Sequence, residues 1–209
     1  MLFRSWLTHS DPGFPGYRGE ISRDAPTAAE LLRARGYTTL AAGKWHNTYD
    51  RNLHGGADTS GWPLQRGFDR FYGFMGAETS YHQPDRMMEG NQPAQVETYP
   101  ADYFAPDDYT RRAIGWLAEQ HSSAPSKPFF LYLAFQTPHT PLHAKPQDIA
   151  KYKGRFDAGW DALRQARFDR QRAMGLIEAN ATLPPRNPGI PAWDSLDAAQ
   201  RALFARYME

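Results

Sequence analysis

The chain has 209 residues, enough for a domain with a real core, and its 41% apolar, 14% aromatic and 22% charged composition is that of a folded protein rather than a disordered one. A formal net charge of +1 gives no broad electrostatic footprint for nucleic acid or an anionic membrane surface, so any anion must be gripped locally by a few placed donors. There is no cysteine, which removes disulfides, thiolate metal sites and cysteine nucleophiles.

In chain order, residues 1–19 have no apolar h-region and are interrupted by Pro12, Gly13, Pro15 and Gly16. They read as neither a signal peptide nor a membrane span, and no later run is apolar enough to cross a bilayer. The sequence leaves the compartment and oligomeric state open. A helix is expected after Thr27, an N-cap with Glu30 three residues on, ending before Gly36, with Leu31 and Leu32 as its apolar stripe. Tyr37–Ala42 is short and rich in β-formers and predicts a strand running into Gly43. Residues 47–100 read as mostly loop, and a loop that long inside a compact domain is usually functional.

A second helix is expected over 106–120, where Tyr109, Ala113, Trp116 and Leu117 share one face. The continuous apolar run Pro128–Gln136 fits a strand buried on both faces, as in a parallel sheet. A polar helix over 161–174, a proline-rich stretch and a last helix from about Leu196 complete the chain. Alternating helices and strands argue for an α/β architecture. Only two convincing central strands are visible, and the last helix lacks a stop signal, so the sequence reads as one incomplete domain over residues 1–209.

Two spots carry candidate chemistry. Gly43-Lys44-Trp45-His46 lies at the carboxyl end of the first strand, where open α/β sheets bind ligands. In extended backbone Lys44 and His46 point to one face, a cation beside an imidazole. Thr137-Pro138-His139-Thr140-Pro141 follows the second strand, its prolines holding His139 in a fixed direction. Taken singly, each has an ordinary explanation: a surface lysine, or a loop histidine satisfied by backbone. Other features favour structure over chemistry. Asp107-Asp108 opens a helix, where negative charge complements the dipole. His54, His82, His121 and His143 lack ligand spacing and read as loop residues. Arg164, Arg167, Arg170 and Arg172 are interleaved with acids and read as a solvated helix face.

The residues as a set resemble the sulfatase family. Ala29–Thr38 onward to Gly43-Lys44-Trp45-His46 is similar to the family's helix–strand segment ending in G-K-W-H. Arg66–Phe74 resembles its R-G-F-D-x-F-Y-G-F stretch, Pro128–Leu142 its strand and P-H-x-P loop, and Lys151–Asp161 the K-Y-x-G-x-Y-D-x-G segment of bacterial arylsulfatases. The likeness covers roughly residues 15 to 209. It implies a partial alkaline-phosphatase-like fold, a mixed, mostly parallel sheet flanked by helices, with N-terminal and C-terminal parts missing. The implied activity is hydrolysis of a small-molecule sulfate ester such as an aryl sulfate, by a formylglycine made from a cysteine in C-x-P-x-R, under a calcium ion. By motif match, Lys44 binds a sulfate oxygen, His46 acts as base on the formylglycine hemiacetal sulfate, and His139 binds sulfate and protonates the leaving oxygen.

The chain has neither C-x-P-x-R nor S-x-P-x-R, and Asn47-Thr48 stand where the family has Leu-Gly. The resemblance places the nucleophile and an aspartate pair ahead of Met1, and an Asp-Asn pair and a second lysine after Glu209. No calcium ligand is therefore assigned in this chain, and the chain by itself is expected to be inactive. Rival readings are a phosphonate monoester or phosphodiester hydrolase of the same superfamily, and a non-catalytic anion-binding protein.

Overall fold

The computed structural model describes residues 19–96 and 98–209, and the chain divides between His143 and Ala144 into two units. The leader reading of residues 1–18 lies outside the described residues. Among them, no helix is long and apolar enough to cross a membrane.

The first unit is built on a five-stranded mixed sheet. Its strands are β1 (Thr38–Lys44), β2 (Arg70–Phe74), β3 (Met87–Glu89), β4 (Gln92–Pro93) and β5 (Phe129–Ala134), in the order β4-β3-β2-β1-β5. β1 is parallel to both β2 and β5, whereas β3 and β4 add antiparallel. The mixed sheet agrees with the expected fold class, but the strand count does not: the segment read as loop contributes three of the five. β2 escapes periodicity because four of its five residues are buried, so no polar face alternates with an apolar one, and Gly73 interrupts the apolar run. β3 and β4 are too short to carry a pattern.

Helix α1 (Ala28–Arg33) starts as predicted, in a capping box: Thr27 Oγ1 accepts from Glu30 N at 3.0 Å and Glu30 Oε2 accepts from Thr27 N at 2.6 Å. Gly36, at φ 87°, supplies the left-handed turn that releases the chain into β1. Of the expected Leu31–Leu32 stripe, Leu32 is half-buried but Leu31 is not. Leu31 is exposed, and it is Ala29 that is buried, in a cluster with Ala41 and Phe68.

Helix α2 (Ala105–Ser123) covers the other face of the sheet. Tyr109, Ala113 and Trp116 pack on Leu40 and Ala42 of β1 and on Tyr72 and Phe74 of β2. Against the α1 face, Ala29, Ala41, Trp45, Trp62, Phe68 and Phe71 form a second cluster, joined by Phe130 and Tyr132. β5 is parallel as expected, but among the described strands it is the edge. Its side chains reach both apolar clusters, but none of its six residues is fully buried and Phe129 is half exposed, so the expected burial on both faces is only partial. His121 sits in the last turn of α2, not in a loop.

The second unit holds α3 (Pro146–Ala150), α4 (Gly159–Ala173) and α5 (Ala198–Met208). Its core is Trp193, Leu196 and Ala205, with Trp160 and Phe204 packed beside them. The Gly159-Trp160-Asp161 run organises it. Gly159 has φ 77° and no room for a Cβ against the Trp193 ring, Trp160 meets Trp193 edge-on, and Asp161 accepts the Trp193 backbone N–H at 2.9 Å. The arginines of α4 point outward to local partners, Arg172 to Asp169 and Arg164 to the Pro184 carbonyl.

Candidate active site

Parallel pairing decides where the candidate residues emerge. Gly43 of β1 is in register with Gly73 of β2 on one side and Ala134 of β5 on the other. Lys44 is the next residue of β1, and His139 lies in the turn that follows β5. The carboxyl ends of three adjacent strands therefore face the same way, and their loops share one end of the sheet. Gly43 has φ 106°, and a Cβ there would collide with the Ala134 carbonyl, so only glycine lets β1 and β5 stay paired at this end.

Lys44 is half-buried at the end of β1. His46 is buried, and its backbone is not extended: φ is 47°, left-handed for a residue with a full side chain. The alternation expected to align Lys44 with His46 therefore ends at Trp45, and a backbone turn, not strand period, sets the imidazole's direction. Two ladder-like bonds hold this turn, from Trp45 N to Phe74 O at 2.9 Å and from His46 N to Met75 O at 3.0 Å. The Asn47 carboxamide donates to the Trp45 carbonyl at 2.5 Å. The Trp45 indole N–H reaches both Thr48 Oγ1 and the Gly61 carbonyl, at 2.9 and 3.1 Å, and Thr48 Oγ1 donates to the same carbonyl at 2.8 Å. Asn47 and Thr48, the departures from the family pattern, are thus the residues that fix the loop behind His46.

His139 is exposed, on a loop whose Thr137–Pro138 and Thr140–Pro141 peptide bonds are both cis. His139 N donates to the Gln136 carbonyl at 2.8 Å, and the Tyr81 hydroxyl donates to the His139 carbonyl at 3.0 Å. Burial pushes the Tyr81 phenol above its ordinary range, so it stays a neutral donor.

Three residues with structural roles were not separable from functional ones by motif alone. Arg66 of the R-G-F-D stretch is buried and points away from the strand ends into carbonyls of Ile21 and Ala25, at 2.7 and 3.0 Å. Asp69 accepts from Thr39 N and Thr39 Oγ1, at 3.0 and 3.1 Å. Asp108 accepts hydrogen bonds from Tyr72 and Tyr103 and an ion pair from Arg111, so this carboxylate is engaged in packing α2 on the sheet. Burial first, then Asp108's charge and hydrogen bonds, push both phenols well above the usual tyrosine range. Among the described residues, no three His, Cys, Asp or Glu side chains gather in a way that could hold a metal ion. The residue that sequence reasoning missed at the strand ends is Glu78, whose Gly76-Ala77-Glu78-Thr79-Ser80 setting carries no pattern beyond a turn.

The Sulfatase family model matches residues 3–202, nearly the whole chain. The chain belongs to the sulfatase family. It is 30% identical to an arylsulfatase of Klebsiella aerogenes over 98% of this chain and 43% of that enzyme. It is 28% identical to the N-acetylgalactosamine-6-sulfatase of Mus musculus over 77% of this chain and 31% of that enzyme. Solved structures of Ps i-CgsB, alone and with k-i-k-neocarrahexaose, align at TM-scores of 0.53 and 0.51, with 27% and 28% identity. Each alignment covers 66% of this chain and 32% of the other. The sheet and its flanking helices are thus part of an alkaline-phosphatase-like fold, and the chain spans less than half the length of these relatives.

Proposed function

We propose that this chain supplies the sulfate-gripping part of a sulfuric ester hydrolase site, with an aryl sulfate as the ester. One observation supports the reading above others: β1 and β5 are parallel neighbours, so Lys44, His46 and His139 emerge at one end of the sheet. Lys44 is a compact positive charge that neutralises charge developing on a sulfate oxygen. His139 presents an imidazole beside the ester and delivers a proton to the leaving oxygen. His46, fixed by its left-handed turn, is the base on the other side of the reaction.

In the complete family enzyme, calcium supplies electrostatic clamping of the sulfate and formylglycine the nucleophile. The described residues of this chain do not fit calcium by themselves, since no carboxylate cluster forms among them. The chain also contains no cysteine from which formylglycine could be made. No step is therefore assigned through either group, and the chain alone is proposed to bind sulfate without turnover.

The test pairs binding with catalysis. Sulfate titrated into the isotope-labelled chain is expected to shift Lys44 and His139 resonances saturably, and Lys44→Ala is expected to weaken binding by roughly tenfold or more. An aryl sulfate incubated with the chain and calcium should release no phenol above background, with an aryl phosphodiester run alongside. Metal-dependent turnover would overturn the proposed inactivity. Sulfate that perturbs neither residue would remove the site.

A further inference from the structure

The sheet order places β2 and β5 on either side of β1, so the loops leaving them flank the end of β1 that carries Lys44. These two loops touch. The Thr140 hydroxyl, on the loop after β5, donates to Oε2 of Glu78, on the loop after β2, at 3.0 Å. The same Glu78 oxygen lies 3.5 Å from His139 Nδ1. Nδ1 is also 2.8 Å from the Thr140 carbonyl oxygen and 3.3 Å from Thr140 Oγ1, whose proton is committed to Glu78.

Every group around Nδ1 is thus an acceptor: a carbonyl, a carboxylate, and a hydroxyl oxygen already donating elsewhere. A ring nitrogen surrounded by acceptors carries the proton, and in a neutral imidazole the other nitrogen then carries the lone pair. We propose that Glu78 is the positioning residue of His139: it ties Thr140 in place and, with the Thr140 carbonyl, holds the proton on Nδ1 so that Nε2 is the nitrogen left for the ligand. This rests on the reading in which His139 faces the sulfate ester. It gives that reading a defined tautomer, in which Nε2 of the exposed ring takes up a proton from solvent before passing it to a leaving oxygen, while Glu78 faces the intervening imidazolium. Glu78 touches no reacting atom, and because its side chain is more than half exposed, the effect is modest.

The experiment is histidine-selective 15N NMR of the full chain, with the His139 signals assigned by their loss in His139→Gln. In the wild type, neutral His139 is expected to show a protonated Nδ1 and an unprotonated Nε2. In Glu78→Ala the ratio of the two tautomers should move toward the Nε2-protonated form by about threefold or more. Glu78→Gln, which keeps an acceptor for the Thr140 hydroxyl, should move it less. A wild-type His139 protonated on Nε2 overturns the proposal, and so does a folded Glu78→Ala with an unchanged ratio. Should Glu78→Ala not fold, Glu78→Gln carries the same test, an unchanged ratio counting against the proposal. Adding sulfate to the same samples separates this inference from the site itself. A His139 protonated on Nδ1 that ignores sulfate removes the site and leaves the positioning role. A sulfate-responsive His139 protonated on Nε2 does the reverse.

Discussion

Arg66 Nε donates to Glu30 Oε1 at 2.9 Å while the other oxygen of the same carboxylate closes the capping box of α1. One carboxylate therefore starts a helix and anchors a buried guanidinium that arrives 36 residues later in the chain. Nη1 and Nη2 make three further bonds to carbonyls of residues 21–25, and the Arg66 carbonyl accepts from Thr27 Oγ1 at 2.8 Å. Gly67 continues the latch: at φ 93° it lies so close to Glu30 that a Cβ would strike the backbone.

Arg66→Ala is expected to destabilise the first unit by about 1–3 kcal/mol, since it removes a buried guanidinium and leaves a partly exposed carboxylate and the carbonyls of residues 21–25 without their donor. Arg66→Lys should recover little of this, because a point charge cannot reproduce the fork of donors. The midpoint and slope of urea unfolding, read with the two variants, check the expectation. A loss within about 0.5 kcal/mol would mean that the latch is ornamental.

The same pair predicts an acid limb. Burial raises the Glu30 pKa, but the Thr27 N–H and the Arg66 guanidinium outweigh it and hold the group below its ordinary 4.5. A carboxylate depressed in the folded state stabilises fully above its unfolded pKa and loses that contribution as pH falls through the lower folded value. Stability should therefore decline below about pH 4.5, and Glu30→Gln should flatten that limb while lowering the plateau at neutral pH. Thermal unfolding across pH 2.5 to 7, roughly one point per half unit, compares the two.

Much of this frame could be read from residues alone. The Thr27–Glu30 box, Gly36 and the α2 face of Tyr109, Ala113 and Trp116 are local signals, and each falls where the spacing put it. What sequence could not carry was long-range. Arg66 and Glu30 share no local pattern, and neither do Glu78 and His139, 61 residues apart and joined only by the order of the strands. The five strands also weaken the argument that too few strands were present for an ordinary sheet. At the site, the end of β1 was legible, but the turn of His46 out of the extended region was not, because a His with positive φ is not written in composition.

In the second unit, Asp161 is the residue to remove. Its carboxylate is held below the ordinary range by the Trp193 backbone N–H first and by Arg186 next. Asp161→Ala should speed hydrogen exchange of the Trp193 amide by roughly tenfold and sharpen the Trp160 and Trp193 indole signals through added motion. In the unmodified chain the same loosening should appear as pH falls through the depressed carboxylate value, and not above it. An unchanged Trp193 exchange rate in the variant would show that the edge-on Trp160–Trp193 packing holds this unit without help.

His46 offers a way to separate backbone strain from chemistry. A non-glycine residue held at φ 47° costs on the order of 1–3 kcal/mol, and Asn tolerates this region far better than β-branched residues do. His46→Asn is expected to keep the fold within about 1 kcal/mol of the parent. His46→Val should lose about 1–2 kcal/mol more, with the damage concentrated where Trp45 N and His46 N pair with β2's end. Because sulfate is gripped by Lys44 and His139 and not by His46, both of those residues should still respond to sulfate in the Asn variant. Equal stability of the Asn and Val variants would mean the backbone relaxes out of the left-handed region once the imidazole is gone. The imidazole's own contacts, rather than the bonds to Phe74 and Met75, would then be what hold the turn.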